Sequence, residues 1–387
     1  MKKKVIRIAT VPIYMNIVLR GQLKYLSSKF HIVAITSPDS KHFHEIGQRE
    51  GVKMYPVAIQ RTIHIWKDLV ALAKLIKIII QEKPDIIHSH TPKAGLLGMT
   101  AGFLCGVPVR MHTVTGMPLL ETRGFTKILL LSAERITYLL ATHVYPNSYG
   151  MKEIILSYHL APDSKLKVLL KGSTNGVDTS FFDPELLEDK NSIRAQYGIS
   201  KDSFVFLFVG RIAREKGIIE LAEAIQKLDA TCKDHFDVKL VLVGKFEKSY
   251  GSLSSELEEF LETSPLVKML GRFDDVRPFY KLADVFVLPS YREGFPNAVL
   301  EASSMQIPSI VSDINGCNEI IQDGTNGLIV TKKDSETLYA AMHKVLCNPN
   351  LRMELTGNTR KMVVSGYDRK MMLETIGKEY ENLLNTD

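Results

Sequence analysis

Two successive series of short apolar runs, each alternating with longer amphipathic segments, constrain the fold of this 387-residue chain most strongly. In the first series, Val5–Thr10 and His31–Thr36 have the apolar, β-branched composition of buried strands, and Leu19–Ser28 between them has helical spacing. The second series begins with strand-like runs at Phe204–Val209 and Val238–Val243. Strands that alternate with helices indicate a parallel sheet with helices on both faces. We therefore predict an α/β protein with two parallel sheets in tandem.

The same periodicities place the other elements and one boundary. Further strands are predicted at 52–57, 84–90, 108–112, 142–146, 167–170, 267–270 and 283–289. Further helices are predicted at 63–81, 96–105, 125–141, 215–228, 254–261 and 335–347. The alternation stops at a turn-rich segment and a charged one, Gly172–Asp178 and Leu186–Lys190, which mark the domain boundary. We assign 1–172 to a first domain, 173–190 to a linker, 191–365 to a second domain and 366–387 to a C-terminal helix.

Composition restricts the class of protein. The length suits two domains of ordinary size, and 45% hydrophobic with 24% charged residues is typical of globular proteins. The cysteines contain no CxxC pair and fit neither a metal site nor a disulfide framework, which indicates a reducing compartment. They are Cys105, Cys232, Cys317 and Cys347.

Location and charge give weaker indications. Met1–Ala9 is too short and too interrupted for a signal peptide, and no run of about twenty apolar residues could span a membrane. We expect a cytoplasmic protein, with the inner face of the cytoplasmic membrane as a possible site. The net charge of +6 permits attraction to anionic lipid or to phosphate-bearing ligands but does not require nucleic acid, and we predict no nucleic-acid partner.

The stretch Arg292–Glu301 carries the strongest functional signal. It reads Arg-Glu-Gly-Phe-Pro-Asn-Ala-Val-Leu-Glu and joins a predicted strand to a helix for which Asn297 is the N-cap candidate. Glu293 then lies at the strand end in front of a helix N-terminus, and Glu301 lies about one turn into the helix. A helix N-terminus suits a phosphate, and a loop carboxylate can accept hydrogen bonds from hydroxyls. The alternative is a pair of solvated surface glutamates.

This stretch, followed by the segments 308–313, 316–321 and 323–330, resembles the donor site of retaining GT-B glycosyltransferases. That family, glycosyltransferase family 4 or group 1, carries a Glu-x7-Glu motif. The resemblance implies a GT-B fold, with two Rossmann-like domains whose parallel sheets face a central cleft and a last helix, about 368–384, that crosses back to the first domain. It also implies that Glu293 contacts donor-sugar hydroxyls and Glu301 the nucleotide ribose. The other donor-binding residues of this stretch are Gly294, Phe295, Pro296, Asn297 and Ala298.

Two cations follow the first strand of the second series. Arg211 and Lys216 emerge at the strand's C-terminal end, where they could hold a diphosphate. Gly210–Gly217 is similar to the family's Gly-Arg-Leu-x-x-x-Lys-Gly motif, whose Arg and Lys bind the donor diphosphate. Two solvated cations at a helix start are the alternative, and we treat Arg214 as a surface residue.

Two further strand ends are expected at the same edge of the sheet. Gly244 follows one strand, and Arg272 and Phe273 follow another. The resemblance implies that both turns lie along the nucleotide and that the second reads the base. For Arg272 and Phe273 a purely structural role is equally open.

Histidines mark the strand ends of the first series. His112 ends the predicted strand 108–112, and the resemblance implies that it faces the donor sugar; a buried packing histidine is the alternative. His88, His90 and Thr91 indicate acceptor-side or structural residues, and a His-x-His metal pair lacks a third ligand. The loop predicted at 11–17 lacks the Gly-Gly pair of many family members and is free for acceptor recognition.

The chemistry implied by the resemblance is retaining transfer by front-side attack, in which the leaving phosphate accepts the acceptor's proton. The transition state should be oxocarbenium-like. No Asp-x-Asp pair occurs in the sequence, so we predict no cofactor and no metal dependence, with the nucleotide sugar as co-substrate. The predicted catalytic residues are Glu293, His112, Arg211 and Lys216.

The acceptor is indicated less directly. The helix at 63–83 is unusually apolar and carries four lysines, which suits an anionic membrane surface, although a buried sheet-covering helix is the alternative. The stretch 284–319 resembles bacterial transferases that add N-acetylhexosamine to polyprenyl-diphosphate-linked sugars in capsule, O-antigen or surface-glycan synthesis. We therefore predict transfer of a hexose or N-acetylhexosamine, UDP-linked, to such an acceptor.

Other functions stay open at this point. A GT-B-fold UDP-N-acetylhexosamine epimerase and a transferase with a soluble acceptor are the principal alternatives. A dinucleotide-dependent oxidoreductase would need Gly-x-Gly-x-x-Gly after a first strand, which neither half contains. Glu293, Arg211 and Lys216 argue against a sugar-binding protein without activity.

Overall fold

A computed structural model describes residues 2–39, 42–62, 64–247 and 252–385. The chain forms two compact units. The first comprises Met1–Gly176 together with Arg369–Asp387, and the second comprises Val177–Asp368. Ile63, where one predicted helix starts, lies outside the described residues.

The first unit is built on one parallel sheet of six strands in the order β3-β2-β1-β4-β5-β6. The strands are β1 Lys4–Ala9, β2 His31–Thr36, β3 Lys53–Pro56, β4 Ile86–His90, β5 Val109–Val114 and β6 His143–Pro146. The helices between them are α1 Pro12–Ile17, α2 Gln22–Ser27, α3 His42–Glu50, α4 Ile65–Glu82, α5 Pro92–Leu104, α6 Gly124–Leu140 and α7 Tyr149–Ser157.

Strand β1 shows why the sheet lies inside the unit. Ile6 and Ile8 belong to the apolar core on one face of the sheet, and Val5 and Ala9 belong to the core on the other. Successive side chains of a strand point to opposite faces, so a strand with apolar residues in both alternating sets must be covered on both faces.

The second unit repeats this plan with a parallel sheet in the order β12-β11-β10-β7-β8-β9. Its strands are β7 Phe204–Val209, β8 Val238–Val243, β9 Val267–Gly271, β10 Val285–Leu288, β11 Ser309–Ser312 and β12 Gly327–Val330. Its helices are α8 Lys190–Gln196, α9 Ile218–Cys232, α10 Ser255–Thr263, α11 Arg277–Leu282, α12 Asn297–Ser304, α13 Cys317–Ile320, α14 Ser335–Cys347 and α15 Pro349–Gly366. The prediction of two α/β parallel sheets is confirmed.

The last helix, α16 Arg369–Asn385, belongs to the first unit. Met372, Ile376 and Tyr380 are buried in that unit's core, and the Tyr380 ring packs edge-on against Phe30 at 5.5 Å. The C-terminal segment therefore completes the first unit.

Three predicted elements differ from the structure because of local backbone geometry. The segment predicted as a loop at 11–17 contains helix α1, which starts at Pro12, a residue whose fixed φ suits a first helical turn. Gly21, with φ of 78°, delays the helix predicted at 19–28 until Gln22. The segment 167–170 is not a strand: pairing with β6 is limited to an isolated bridge between Leu166 and Val144, and Leu170 has φ of 51° in the left-handed region.

The helix predicted at 215–228 is divided in two. Arg214–Lys216 forms a 3-10 turn, Gly217 follows with φ of 71°, and α9 begins only at Ile218. Helices α3, α7, α8, α11 and α13 and strands β11 and β12 were not anticipated. None of the helices in the described ranges is long and apolar enough to cross a bilayer.

Candidate active site

The carboxyl ends of β7 and β10 bring the two sequence motifs together. The two strands are parallel neighbours, with Phe206 opposite Val285. The turn at 210–217 follows β7 and the loop at 289–296 follows β10, so both leave the same edge of the sheet. Ligands of open parallel sheets bind at this edge.

Lys216 and Glu293 form the centre of the site. The Lys216 ammonium donates to Glu293 Oε1 at 2.5 Å, and the Ser290 hydroxyl donates to the same oxygen at 2.8 Å. Each of the paired side chains keeps only 14% of its surface exposed. The structure thus joins two residues that lie 77 positions apart in the sequence, while Ser290 was not predicted.

A second carboxylate holds two guanidinium groups beside this pair. Glu215 accepts from Arg211 Nη2 at 2.6 Å through one oxygen and from Arg292 Nη2 at 2.7 Å through the other. Burial alone would raise the pKa of Glu215, but the hydrogen bond and charge of Arg292, with the charges of Arg211 and Lys216, lower it. Glu215 therefore stays ionised and fixes both arginines.

The charges of the five side chains in these ion pairs do not balance. Arg211, Lys216 and Arg292 supply three positive charges, and Glu215 and Glu293 supply two negative charges. A net positive charge on partly buried side chains favours an anion, and two guanidinium groups in fixed positions match phosphate oxygens well. Arg292 and Glu215 were missed as members of this set because their contact depends on the fold.

The loop after β10 is held in place by contacts with the loop after β11. Asn315 Nδ2 donates to the carbonyl oxygen of Glu293 at 2.9 Å. Gly316 approaches so closely that a Cβ there would lie 2.6 Å from the Gly294 carbonyl oxygen, and its φ is 79°. The loop therefore depends on a glycine at 316, and Asn315 sets the position of the glutamate backbone.

Helix α12 starts one residue earlier than predicted. Pro296 is the N-cap and Asn297 is the first helical residue, with no side chain capping the end. Within the helix, Glu301 accepts a hydrogen bond at 3.0 Å from the hydroxyl of Tyr280, a buried residue of α11. Tyr280, which sequence reasoning missed, fixes one oxygen of the Glu301 carboxylate.

Two other predicted donor contacts have packing roles of their own. Gly244 lies against β7, where a Cβ would fall 1.8 Å from the Gly210 carbonyl oxygen, so glycine is required there whether or not a nucleotide binds.

The turn after β9 carries the other two predicted residues. Phe273 is 40% exposed, and its ring packs at 4.6 Å on Phe279; Arg272 is exposed. Contacts of these residues with a nucleotide stay predictions, as do those of Phe295 and Ala298.

His112 does not lie at a strand end. Strand β5 continues to Val114, and the His112 side chain is buried, with Nδ1 2.9 Å from Ser89 Oγ. The ring packs so tightly under α5 that a Cβ on Gly95 would lie 2.4 Å from it. Burial lowers the pKa of His112 to about 3, so the imidazole is neutral. This placement favours the packing alternative over the sugar contact.

His88 and His90 form part of a buried polar cluster. His88 binds the hydroxyls of Tyr380 and Thr113, each at 2.6 Å, and His90 Nε2 lies 2.7 Å from Arg7 Nη2. Burial, reinforced by nearby positive charge, keeps the pKa of both histidines well below the usual value. Both ring nitrogens of His88 already have hydroxyl partners, so the geometry supports the structural role and not a metal pair.

Comparisons with known proteins cover both units. The family model described as Glycosyltransferase Family 4 matches residues 15–181, and that described as Glycosyl transferases group 1 matches residues 189–362. The capsular polysaccharide biosynthesis glycosyltransferase CapM of Staphylococcus aureus is 33% identical over 369 residues, which are 95% of this chain and 93% of that protein.

A second relative and a solved structure are also similar to this chain over most of its length. The UDP-Gal:alpha-D-GlcNAc-diphosphoundecaprenol alpha-1,3-galactosyltransferase of Escherichia coli is 31% identical over 337 residues, 84% of this chain and 82% of that protein. Anabaena HepE, solved in complex with UDP, superimposes with a TM-score of 0.81 at 18% identity over 98% of this chain and 100% of its own. The likeness to HepE shows the fold, and the predicted fold class is confirmed.

Proposed function

Since this chain belongs to the family 4, group 1 glycosyltransferases, we propose that it moves a hexose or N-acetylhexosamine from a UDP-sugar to a saccharide on polyprenyl diphosphate. One observation carries the donor half of the proposal: the cluster of three cations and two carboxylates at the ends of β7 and β10. Such a cluster has the sign and the side-chain types that a nucleoside diphosphate requires.

The chemistry follows from where charge develops. As the bond between the sugar C1 and the phosphate oxygen breaks, its electron pair leaves with the nucleoside diphosphate. Arg211 and Lys216 are already fixed by ion pairs at 2.6 and 2.5 Å, so they need little reorganisation to stabilise this charge. We assign Arg292, which shares Glu215 with Arg211, to the same task.

The acceptor step is proposed to proceed with retention. The acceptor hydroxyl oxygen attacks C1 from the face that the diphosphate leaves, and the hydroxyl proton passes to the departing phosphate oxygen. Atoms and charge then balance without a protein base. His112 is buried and its imidazole is neutral, and the scheme requires no proton transfer to it.

The two glutamates are proposed to orient the donor. Glu293, with one oxygen bound by Lys216 and Ser290, is positioned to accept from sugar hydroxyls, and Glu301, held by Tyr280, from the ribose. We propose that the reaction needs no metal ion, since positive side chains supply the neutralising charge.

The lipid-linked acceptor is supported by a relative. The E. coli relative is named for transfer from UDP-Gal to a diphosphoundecaprenol-linked sugar, and CapM for capsular polysaccharide biosynthesis. A polyprenyl chain stays in the bilayer, so an enzyme acting on such an acceptor needs a surface that contacts the membrane.

The first unit exposes such a surface. Helix α4 buries Ala71, Leu75, Ile78 and Ile79 against the sheet but turns other apolar residues to solvent. The exposed apolar side chains of α4 and α6 are Ile65, Trp66, Leu69, Val70, Ile80, Phe125, Ile128, Leu129, Ile136 and Leu139. Both helices pack on α5, and exposed cations accompany these side chains at Lys67, Lys74, Lys77, Arg123 and Arg135. We call this the α4/α6 face.

Membrane contact through the α4/α6 face is proposed on this pattern. Apolar groups inserted at the lipid boundary are stabilised by burial, and each nearby cation adds attraction to anionic lipid, about 1 kcal/mol apiece. Both roles considered for helix α4 are therefore compatible in this proposal: its buried side chains cover the sheet, and its exposed side chains contact lipid.

Replacing Trp66, which is 81% exposed, by Glu should weaken binding to vesicles of anionic phospholipid by at least tenfold. The change removes a large apolar group and adds a charge that anionic lipid repels. Sedimentation with vesicles of increasing anionic content measures the effect. Met353→Glu is the matched control, since Met353 is 70% exposed on the second unit and should bind lipid like the parent protein. Equal losses in both variants would contradict the assignment.

The reaction itself is tested by screening UDP- and GDP-sugars with the purified protein. We expect one UDP-sugar to raise the melting temperature and to release UDP only when a polyprenyl-diphosphate saccharide is present. Turnover of the nucleotide sugar without acceptor would indicate the epimerase. Release with a water-soluble saccharide alone would indicate a soluble acceptor, and no response to any donor would overturn the proposal.

A further inference from the structure

Two cysteines and a histidine that are far apart in the sequence meet on the outside of the second unit. Cys232 is the last residue of α9, Cys347 is the last residue of α14, and His343 lies one turn before it. Their sulfur and imidazole nitrogen atoms all lie within 4.8 Å of one another. The sequence predicted no metal site from these cysteines, because they are widely scattered and form no CxxC pair.

The distance between two of these atoms matches tetrahedral coordination of a cation. His343 Nε2 lies 3.6 Å from Cys347 Sγ. Zinc bonds of about 2.3 Å to sulfur and about 2.0–2.1 Å to nitrogen, at a tetrahedral angle, place the same two atoms about 3.6 Å apart and two sulfurs about 3.8 Å apart. His343 and Cys347 are four positions apart, so both side chains project from the same face of α14.

The scaffold under the three side chains is rigid. Helices α9 and α14 pack on one another through fully buried side chains, among them Leu228, Met342 and Leu346. At the edge of this contact the Tyr339 hydroxyl donates to Thr231 Oγ1 at 3.3 Å, and the Tyr339 ring lies 5.8 Å from the His343 ring. A metal would therefore meet ligands that already face one another.

We propose that Cys232, His343 and Cys347 bind Zn²⁺, with water in the fourth position. Two thiolates and an imidazole form a soft ligand set that selects zinc over magnesium, calcium or manganese. Cys232 is buried and Cys347 is exposed, so the ion would lie at the surface, with one side open.

The zinc site is remote from the donor site. Helix α9 begins next to Lys216 and ends at Cys232, and its 15 residues span about 22 Å at 1.5 Å per residue. The ion would take no part in the transfer. It would join the ends of α9 and α14 and stabilise the folded second unit by binding free energy.

The test uses the full chain, kept reduced and freed of metal with a chelator that is then removed. Co²⁺ is the spectroscopic probe, because tetrahedral thiolate ligation gives it charge-transfer and d–d absorption bands. We expect one Co²⁺ per chain, displaced by one Zn²⁺. Zinc at a hundred times its Kd should raise the melting temperature of the second unit by about 5–10 °C.

Substitutions at two of the ligand positions show whether these side chains hold the metal. Cys347→Ser and His343→Gln should each weaken Co²⁺ binding by at least tenfold, and the part-buried Cys105→Ser, in the first unit, should leave it unchanged. Neither substitution is at the buried Cys232, so we expect both variants to fold. Circular dichroism verifies the folding of each. The proposal is overturned if the absorption bands are absent, if they persist in His343→Gln, or if a Cys232–Cys347 disulfide forms while no metal binds.

Discussion

Replacing Lys216 by Ala should lower kcat by about 10²–10³-fold, the usual cost of removing one preorganised group that stabilises charge in a transition state. The Lys216 ammonium is fixed 2.5 Å from Glu293 and is mostly buried, so no other cation can take its position without rearrangement. Its removal would also leave the Glu293 carboxylate close to the donor phosphates without its partner. Rates of UDP release, with the donor and acceptor found by the screen, measure the loss.

Arg214→Ala is the matched control for this substitution. Arg214 belongs to the same 3-10 turn as Lys216 but is exposed, and we expect its replacement to change kcat by less than twofold. Lys216→Arg keeps the charge and should recover part of the rate. Because the ion pair also contributes to folding, melting temperatures of all three variants must accompany the kinetics. A folded Lys216→Ala enzyme with nearly full activity would refute the assignment.

Gly217→Ala should destabilise the second unit by about 2–5 kcal/mol. A Cβ at this position would lie 2.0 Å from the Pro289 carbonyl oxygen, and the backbone has φ of 71°, in the left-handed region. Left-handed backbone costs a side-chain-bearing residue about 1–2 kcal/mol, and overpacking costs about 1–3 kcal/mol. Thermal unfolding should show a decrease of roughly 5–15 °C in the melting temperature of this unit.

Gly357→Ala is the control in the same unit, and we expect it to stabilise the unit. Gly357 lies inside α15, and a Cβ there would meet no atom within 4 Å. Alanine in place of glycine inside a helix should therefore stabilise the unit by about 0.5–1 kcal/mol. If Gly217→Ala melts like the parent while Gly357→Ala shows its gain, the backbones after β7 and β10 do not approach as closely as the structure indicates.

Regular elements with strong patterns were predictable. Strands β7 and β8 have the predicted limits because each is a β-rich apolar run, interrupted in β8 only by Lys239, that starts after a polar residue and ends before a glycine. Helix α14 also has its predicted limits, and Asp334 caps it by accepting from the backbone of Glu336 and Thr337. Short or weakly patterned helices, such as α7 and α8, were missed, because nine or seven residues give too little periodicity to stand out.

The site was predictable where its residues occur in motifs. Glu293, Arg211 and Lys216 could be selected from local sequence, because each follows a predicted strand. Tyr280 and Asn315 could not, since their hydrogen bonds to Glu301 and to the Glu293 carbonyl oxygen exist only once neighbouring elements pack. The same holds for the cysteine and histidine cluster, whose ligands come from two helices that are distant in sequence.

His112 shows how the limit of a strand affects a site prediction. The strand was predicted at 108–112, and the structure continues it to Val114, which moves His112 from the edge of the sheet into its interior. Limits of elements are the least certain part of a sequence-based prediction. At a strand end, a difference of two residues decides whether a side chain lies at the edge of the sheet or within it, and the sugar contact of His112 stays a prediction.

The place of α16 has a consequence for synthesis on the ribosome. The first unit needs Tyr380, whose hydroxyl accepts from Arg7 and contacts His88, yet Tyr380 is made 373 residues after Arg7. Between Gly176 and Arg369 the ribosome adds roughly 190 residues, which takes on the order of tens of seconds at 5–20 residues per second. During that interval the second unit is made as one continuous segment, while the nascent first unit holds the Arg7 guanidinium without its Tyr380 partner. Chaperones would therefore meet the N-terminal half of this enzyme for longer than the C-terminal half.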